Sequence, residues 1–286
     1  MSDLYQPAQM IDTHQHLWKP SERRYEWLDA VAPLNRDFGP EDVVADVTAA
    51  GITTTVLVQA ADTYEDTFYM LSVAASVPVV SGVVAWAPLD RAAEAEAALT
   101  LYAASTAVRG VRVLNHTYAD PRWLLQDSVD AALRLLVKHG LALDIVSVIP
   151  EHLTMLAELA ARHPELTIVL DHMAKPDIAN KGWEPWASLI AEVAARPNVS
   201  VKLSGLNTAS APGWTWQDWL PYVDHGVKHF GSSRMMLGSD WPVSILAGDF
   251  VGVWSAQREV IGHLSTAQQD DILYRTATRV YSLGVS

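Results

Sequence analysis

The sequence predicts an α/β protein built as a (β/α)8 barrel, and three observations lead there. Eight short apolar runs rich in β-branched residues recur along the 286 residues. Ala- and Leu-rich stretches with helical spacing lie between most of them, and no G-x-G-x-x-G or Walker pattern marks the competing doubly wound sheet. Strand alternating with helix eight times is the pattern of a closed parallel barrel, whose chemistry gathers at the C-terminal ends of the strands.

The first run, "QMIDTH", leads into "THQHLW", with His14 and His16 one residue apart. Residues two apart in a strand share a face, so both imidazoles are expected to point to one spot, with Asp12 on the same period. Residues 17–50 read as an extended first loop carrying Trp18, Tyr25 and Trp27, with a helical stretch from about Glu41. The second and third runs are "TTTVLVQA" (53–60) and "VPVVSGVVAW" (77–86), and "AAEAEAALTLYAAS" reads as the helix that follows. The fourth run, "VRGVRVL" (108–114), has Arg112 in phase with Gly110 and Leu114, and Asn115 and His116 follow it. "LQDSVDAALRLLVKHG" is a helix with a Gly stop, leading to "LALDIVSV" (141–148) with Asp144 inside an apolar run. "PEHLTMLAELAARHP" is a helix bounded by prolines, leading to "LTIVLDH" (166–172), then His172 and nearby Lys175. "NVSVKLSG" (198–205) carries Lys202 and Ser204, and "RMMLGSD" (234–240) ends in Asp240 and Trp241.

Composition narrows the function. Half of the residues are hydrophobic and 19% are charged, with Gly and Pro scattered, so one globular domain over 1–286 is expected. A net charge of −13 argues against nucleic-acid or anionic-membrane partners, and no apolar run is long enough to span a bilayer. Zero cysteines exclude disulfides and thiolate chemistry, and "MSDLYQPAQM" lacks signal-peptide character. A cytoplasmic protein acting on a small molecule is expected, with a homo-oligomer left open.

The polar strand ends carry the chemistry. Any one of them has a structural reading: a lone His as a hydrogen-bonded wall residue, Asp171 or Asp240 as a cap, Arg112 and Asp144 as a buried pair. H-x-H, a later His and a later Asp on separate strand ends form a set. His14, His16, His172 and Asp240 suit one divalent ion such as zinc or manganese, which would activate water. The same set also suits a metal-independent site, with Asp240 as general base and the histidines polarising a carbonyl.

"DTHQHLW", "VLVQA", "GVVAW", "RGVRVL", "LALDI", "LDHMAKP", "VKLSGL" and "LGSDWPV" occur in an order that resembles the amidohydrolase superfamily, specifically its amidohydrolase-2 branch of sugar-acid and pyrone lactonases. The resemblance runs from about residue 10 to the end. It implies a distorted barrel with His14, His16, His172 and Asp240 at the centre, Asp240 as base for water, and Arg112 at the substrate. Asp144 and Arg112 stand where many members place metal-binding residues, so a binuclear centre is not expected.

The substrate expected is a lactone. Arg112 would take the developing carboxylate through its planar fork, while Asn115, Asp144, Trp18 and Trp241 would hold and flank a hydroxyl-rich sugar ring. A metal-dependent non-oxidative decarboxylase of the same superfamily is the alternative enzyme. A non-enzymatic carbohydrate-binding protein is the alternative of another class.

Overall fold

The computed structural model describes residues 4–284, and among them eight parallel strands form one sheet ordered β1 to β8 in sequence. The strands are β1 (Ile11–Gln15), β2 (Thr54–Val58), β3 (Val80–Ala85), β4 (Val108–Arg112), β5 (Ala142–Val146), β6 (Ile168–Asp171), β7 (Val199–Leu203) and β8 (Met235–Leu237). The helices that cover them include α1 (Val44–Ala49), α2 (Tyr64–Ser76), α3 (Ala92–Tyr102), α4 (Asp127–His139), α5 (Pro150–Arg162), α6 (Trp186–Ala194), α7 (Trp216–Phe230) and α8 (Phe250–Val260). The predicted (β/α)8 barrel is the observed architecture. Among the described residues no helix is long and apolar enough to cross a membrane.

Local chemistry sets the helix ends. Thr63 caps α2 by accepting from the Asp66 amide, α4 stops where Gly140 turns left-handed at φ 65°, and α5 begins on Pro150, where a missing amide proton costs nothing.

The strands stop short of the predicted runs. The eighth was expected over 234–240 but pairs only over Met235–Leu237, and Asp240 sits at φ 56°. Pairing ends where the backbone must turn to aim side chains across the barrel mouth. Closure between β8 and β1 is accordingly irregular. Thr13 Oγ1 donates to the Leu237 carbonyl at 2.6 Å, the Asp240 amide to the His14 carbonyl at 2.8 Å, and the His16 amide to the Trp241 carbonyl at 2.7 Å.

Asp12 departs from the expectation that it would join His14 and His16. The pairing register shifts between Asp12 and Gln15, and this breaks the simple two-residue period. The Asp12 carboxylate instead accepts from the amides of Ser239, at 2.8 Å, and His14, at 3.1 Å. Asp12 therefore ties the two strands that carry the site.

The barrel interior is layered. Ile11, Val56, Val58, Val84, Ala142, Val169 and Met236 fill its lower part, and Ala277, Tyr281 and Leu283 of the C-terminal segment close that end. Packed apolar side chains there leave the polar ones to the upper layers.

Candidate active site

Three imidazoles converge on one carboxylate at the barrel mouth. Asp240 Oδ1 lies 3.6 Å from His16 Nε2, 3.8 Å from His14 Nε2 and 3.9 Å from His172 Nε2. The opposite ring nitrogens are held from behind. His16 Nδ1 donates to the Val58 carbonyl at 2.7 Å, His172 Nδ1 meets Ser204 Oγ at 2.8 Å, and His14 Nδ1 faces both Lys202 Nζ at 3.1 Å and Asp171 Oδ1 at 3.3 Å. Each ring therefore turns the same atom to the centre.

The backbone is bent to make this possible. His172, Met173, Ala174 and Lys175 all have positive φ, between 46° and 59°, a left-handed run that side-chain-bearing residues rarely adopt. Strain of this kind collects at functional sites. Gly205, at φ 61°, leaves the room that Asp240 and His172 need: a Cβ there would lie 2.8 Å from Asp240 Oδ2. At Gly238 a Cβ would come within 2.6 Å of His14 Cβ.

Burial disfavours the charged form of each imidazole. It pushes His14 well below the ordinary histidine range, lowers His16, and brings His172 down to about 4. Burial would raise Asp240, but the positive charge that His172, His16, His14 and Lys175 can place beside it outweighs this, so the carboxyl is held far below its usual range. Asp240 Oδ2 is buried without a hydrogen-bond partner. An ionised carboxylate with one oxygen unspent is suited to hold a cation or to orient an attacking water.

His14, His172 and Asp240 form a set that could hold a single divalent ion, with His16 beside His14. Ligands at roughly 2.0–2.2 Å from one ion stand about 3–3.5 Å apart in a tetrahedron. His14 Nε2 and His16 Nε2 are 3.0 Å apart, and ligand atoms of His14, His172 and Asp240 lie within 4.8 Å of one another. A second ion has no equivalent set on strands four and five, because Arg112 and Asp144 there are bound to charges of opposite sign.

Beneath the site lies a second polar layer. Lys202 Nζ is 2.6 Å from Asp144 Oδ2 and 3.2 Å from Asp171 Oδ1, and Tyr281 donates to Asp144 Oδ2 at 2.7 Å. Arg112 Nη1 donates to Asp171 Oδ2 at 3.1 Å and Nη2 to the Gln59 carbonyl at 2.5 Å. Sequence reasoning saw Lys202 but gave it no role, and it saw Asp171 only as a cap. A charged residue inside an apolar strand was the available signal in both cases.

Above the imidazoles opens a cavity of about 320 Å³ lined by His16, Trp18, Trp27, Arg112, His116, His172, Lys175 and Asp240, among others. The first loop forms its aromatic wall. Trp18 donates to the carbonyls of Leu34 and Arg36, Trp27 to that of Ala60, and Tyr25 to Asp66. The structure thus brings His14, His16, His172, Asp240, Arg112 and Trp18 together.

Three of the expected substrate contacts lie elsewhere. Asp144 is buried in the lower layer, because Lys202 and Tyr281 claim it. Asn115 turns back into the wall, where its Oδ1 accepts from the Val146 amide at 3.3 Å. Trp241 packs edge-on against Phe38, with ring centres 5.4 Å apart, behind the aromatic wall. Arg112 reaches the cavity, but two of its nitrogens are already committed, so it presents no free fork.

Fold and site together define a class: a parallel barrel enzyme that gathers imidazoles and an aspartate at its strand ends. The chain belongs to the amidohydrolase family, whose model matches residues 11–283. It is 41% identical over 252 residues to an L-fucono-1,5-lactonase of Burkholderia ambifaria, covering 86% of this chain and 85% of that protein. An L-fucono-1,5-lactonase of Burkholderia multivorans is 30% identical, covering 96% and 97%. The crystal structure of a Burkholderia multivorans amidohydrolase with bound zinc is 28% identical and superposes with a TM-score of 0.85, covering 97% of this chain and 100% of that one.

Proposed function

We propose that the chain hydrolyses a sugar aldonolactone of the L-fucono-1,5-lactone kind to its hydroxy acid, with Asp240 as general base. The observation that carries this is the Asp240 carboxylate, ringed by three imidazoles at 3.6–3.9 Å and keeping Oδ2 free at the floor of the cavity. Lactone opening needs a base for water and groups that stabilise negative charge on the carbonyl oxygen. Asp240 takes the water proton as the oxygen attacks the carbonyl carbon. It returns that proton to the ring oxygen as the acyl C–O bond breaks. His14, His16 and His172, fixed from behind, surround the reacting carbonyl without themselves changing charge.

The cavity is large enough for one sugar lactone, and the indoles of Trp18 and Trp27, set edge to face at 87°, supply an aromatic corner for the ring. Zinc or manganese would be held by His14, His16, His172 and Asp240. Bound there, a divalent ion supplies Lewis acidity to the ester carbonyl.

The test is steady-state kinetics on fucono-, rhamnono-, galactono- and pyrone lactones with hydroxyl-free lactones as controls, on protein before and after exhaustive chelation and with its metal content measured. Preferential turnover of a hydroxylated 1,5-lactone is expected. Turnover confined to hydroxyl-free or dicarboxylated lactones overturns the sugar assignment. Carbon dioxide release from an aromatic acid, with no lactone opened, favours the decarboxylase alternative, and saccharide binding without turnover favours the non-enzymatic one.

A further inference from the structure

Opening a neutral lactone creates a charge. Water adds to the acyl carbon, the acyl C–O bond breaks, the ring oxygen leaves as a hydroxyl, and the new carboxylic acid loses its proton to become a carboxylate. The products are a hydroxy-carboxylate and a proton. This anion forms beside Asp240, which is itself ionised and buried, inside a protein of net charge −13. Two like charges in a partly dry cavity repel strongly, so the site needs a cation that is not already neutralised.

The buried cations nearest to hand are committed. Arg112 is paired with Asp171, and Lys202 with Asp144 and Asp171. Lys175 differs from both. It lines the 320 Å³ cavity, and with Val148 it also borders an adjoining hollow of about 230 Å³. Among the described residues its ammonium has no ion pair or hydrogen-bond partner.

Its placement is costly. Lys175 ends the left-handed run at φ 46°, and it precedes Pro176, a position that disfavours such backbone further. Four consecutive left-handed residues are a strain that the surrounding structure must offset. The run is held by the Lys175 amide donating to the His172 carbonyl at 2.8 Å and by Trp186 Nε1 donating to the Met173 carbonyl at 2.7 Å. The run thus brings one imidazole of the site and one uncommitted ammonium to the same cavity.

We propose that Lys175 is the anion-binding residue of the site: its ammonium receives the carboxylate that forms as the lactone opens, the part the sequence had suggested for Arg112. This rests on the lactonase reading, and it assigns a role that the imidazoles and Asp240 do not fill. Because the charge forms during the reaction, Lys175 acts more on the opened product than on the neutral substrate.

Lys175→Met and Lys175→Arg, compared with wild type, test this through inhibition by the aldonate of whichever lactone the enzyme opens, with the uncharged alditol of the same sugar as control. Lys175→Met should weaken aldonate inhibition at least tenfold, the loss of one charge-assisted contact, and should lower kcat by on the order of tenfold while KM for the neutral lactone moves less than about threefold. Alditol inhibition should stay within about twofold, and Lys175→Arg should recover most of the aldonate affinity. Aldonate inhibition of Lys175→Met within twofold of wild type, in protein that still opens lactones, overturns the role of Lys175 and leaves the lactonase reading intact. Wild-type protein that opens no lactone overturns that reading and this proposal with it.

Discussion

Two polar layers lie one above the other in the barrel, each built around buried aspartates that are bound very differently. In the upper layer, Asp240 stands 3.6–3.9 Å from three imidazoles and one of its oxygens has no hydrogen-bond partner. In the lower layer, Lys202, Asp144, Asp171, Arg112 and Tyr281 meet at 2.6–3.2 Å with their charges compensated. The difference teaches where chemistry can happen. An unpartnered oxygen does not separate the layers, since Asp144 Oδ1 and Asp171 Oδ1 lack hydrogen-bond partners just as Asp240 Oδ2 does. The lower carboxylates are neutralised by Lys202 and Arg112, whereas Asp240 has no lysine or arginine paired with it among the described residues and faces the cavity, where a substrate can reach it.

The contrast predicts that upper-layer changes cost activity and lower-layer changes cost stability. The largest effect should come from Asp240→Asn, which keeps the shape and deletes the proton acceptor. Turnover should fall by on the order of 10²- to 10⁴-fold. Its denaturant midpoint should stay near wild type, and a variant that keeps its rate moves the base to another group.

Lys202→Met leaves Asp144 and Asp171 buried without their shared cation. Breaking a buried pair from one side should cost about 3–5 kcal/mol of folding free energy, read from urea unfolding. An unfolding curve that does not move would mean that the lower layer is not what holds the barrel interior together.

Asp66 tests whether position or pairing decides. It lies at the rim, yet it accepts from Tyr25 Oη at 2.8 Å and from the amides of Ala60 and Ala61, so it should behave like the lower layer. Burial raises its carboxyl to about 6, against the hydrogen bonds from Ala60 and Tyr25. A folded-state value above the unfolded one means that this stabilisation is fully present below about pH 4 and is lost as pH rises through 6. Relative to Asp66→Asn, wild-type stability should therefore decline by on the order of 3 kcal/mol between pH 4 and pH 7. Parallel pH profiles for the two proteins would refute this, and a large loss of turnover in Asp66→Asn would place the residue with the upper layer.

The smallest effect should come from Tyr281→Phe, which removes one hydrogen bond to Asp144 and leaves Lys202 in place. A loss of about 1.5–3 kcal/mol is expected from calorimetry, with KM for the lactone unchanged. A changed KM would show that the floor of the barrel reaches the pocket through Asp144, and would blur the boundary between the layers.

How much of this was legible in the sequence differs residue by residue. The alternation of β-branched runs with helical ones determined the barrel by itself, because strand and helix periods are local properties. The same logic found His14, His16, His172 and Asp240, since a (β/α)8 barrel places every strand end on one rim. The periodicity of one strand says nothing of its neighbours' register, so Asp12 falls on the period of His14 and His16 in the sequence, while a register shift turns it toward Ser239 in the structure. Asp144, Asn115 and Trp241 were near the right end of the barrel, and only the tertiary structure showed that Lys202, the Val146 amide and Phe38 already hold them. Arg112 was correctly placed at the cavity, but the sequence could not show that Asp171 and the Gln59 carbonyl occupy its fork. Lys175 was visible only as a residue near His172. Its place at the cavity depends on a left-handed run that no propensity favours and that contacts from distant elements sustain. Sequence by itself determined which residue types reach the barrel mouth, a matter of local period. Which of them remain free to act was decided by pairing between strands distant in sequence, and that exists only once the barrel has closed.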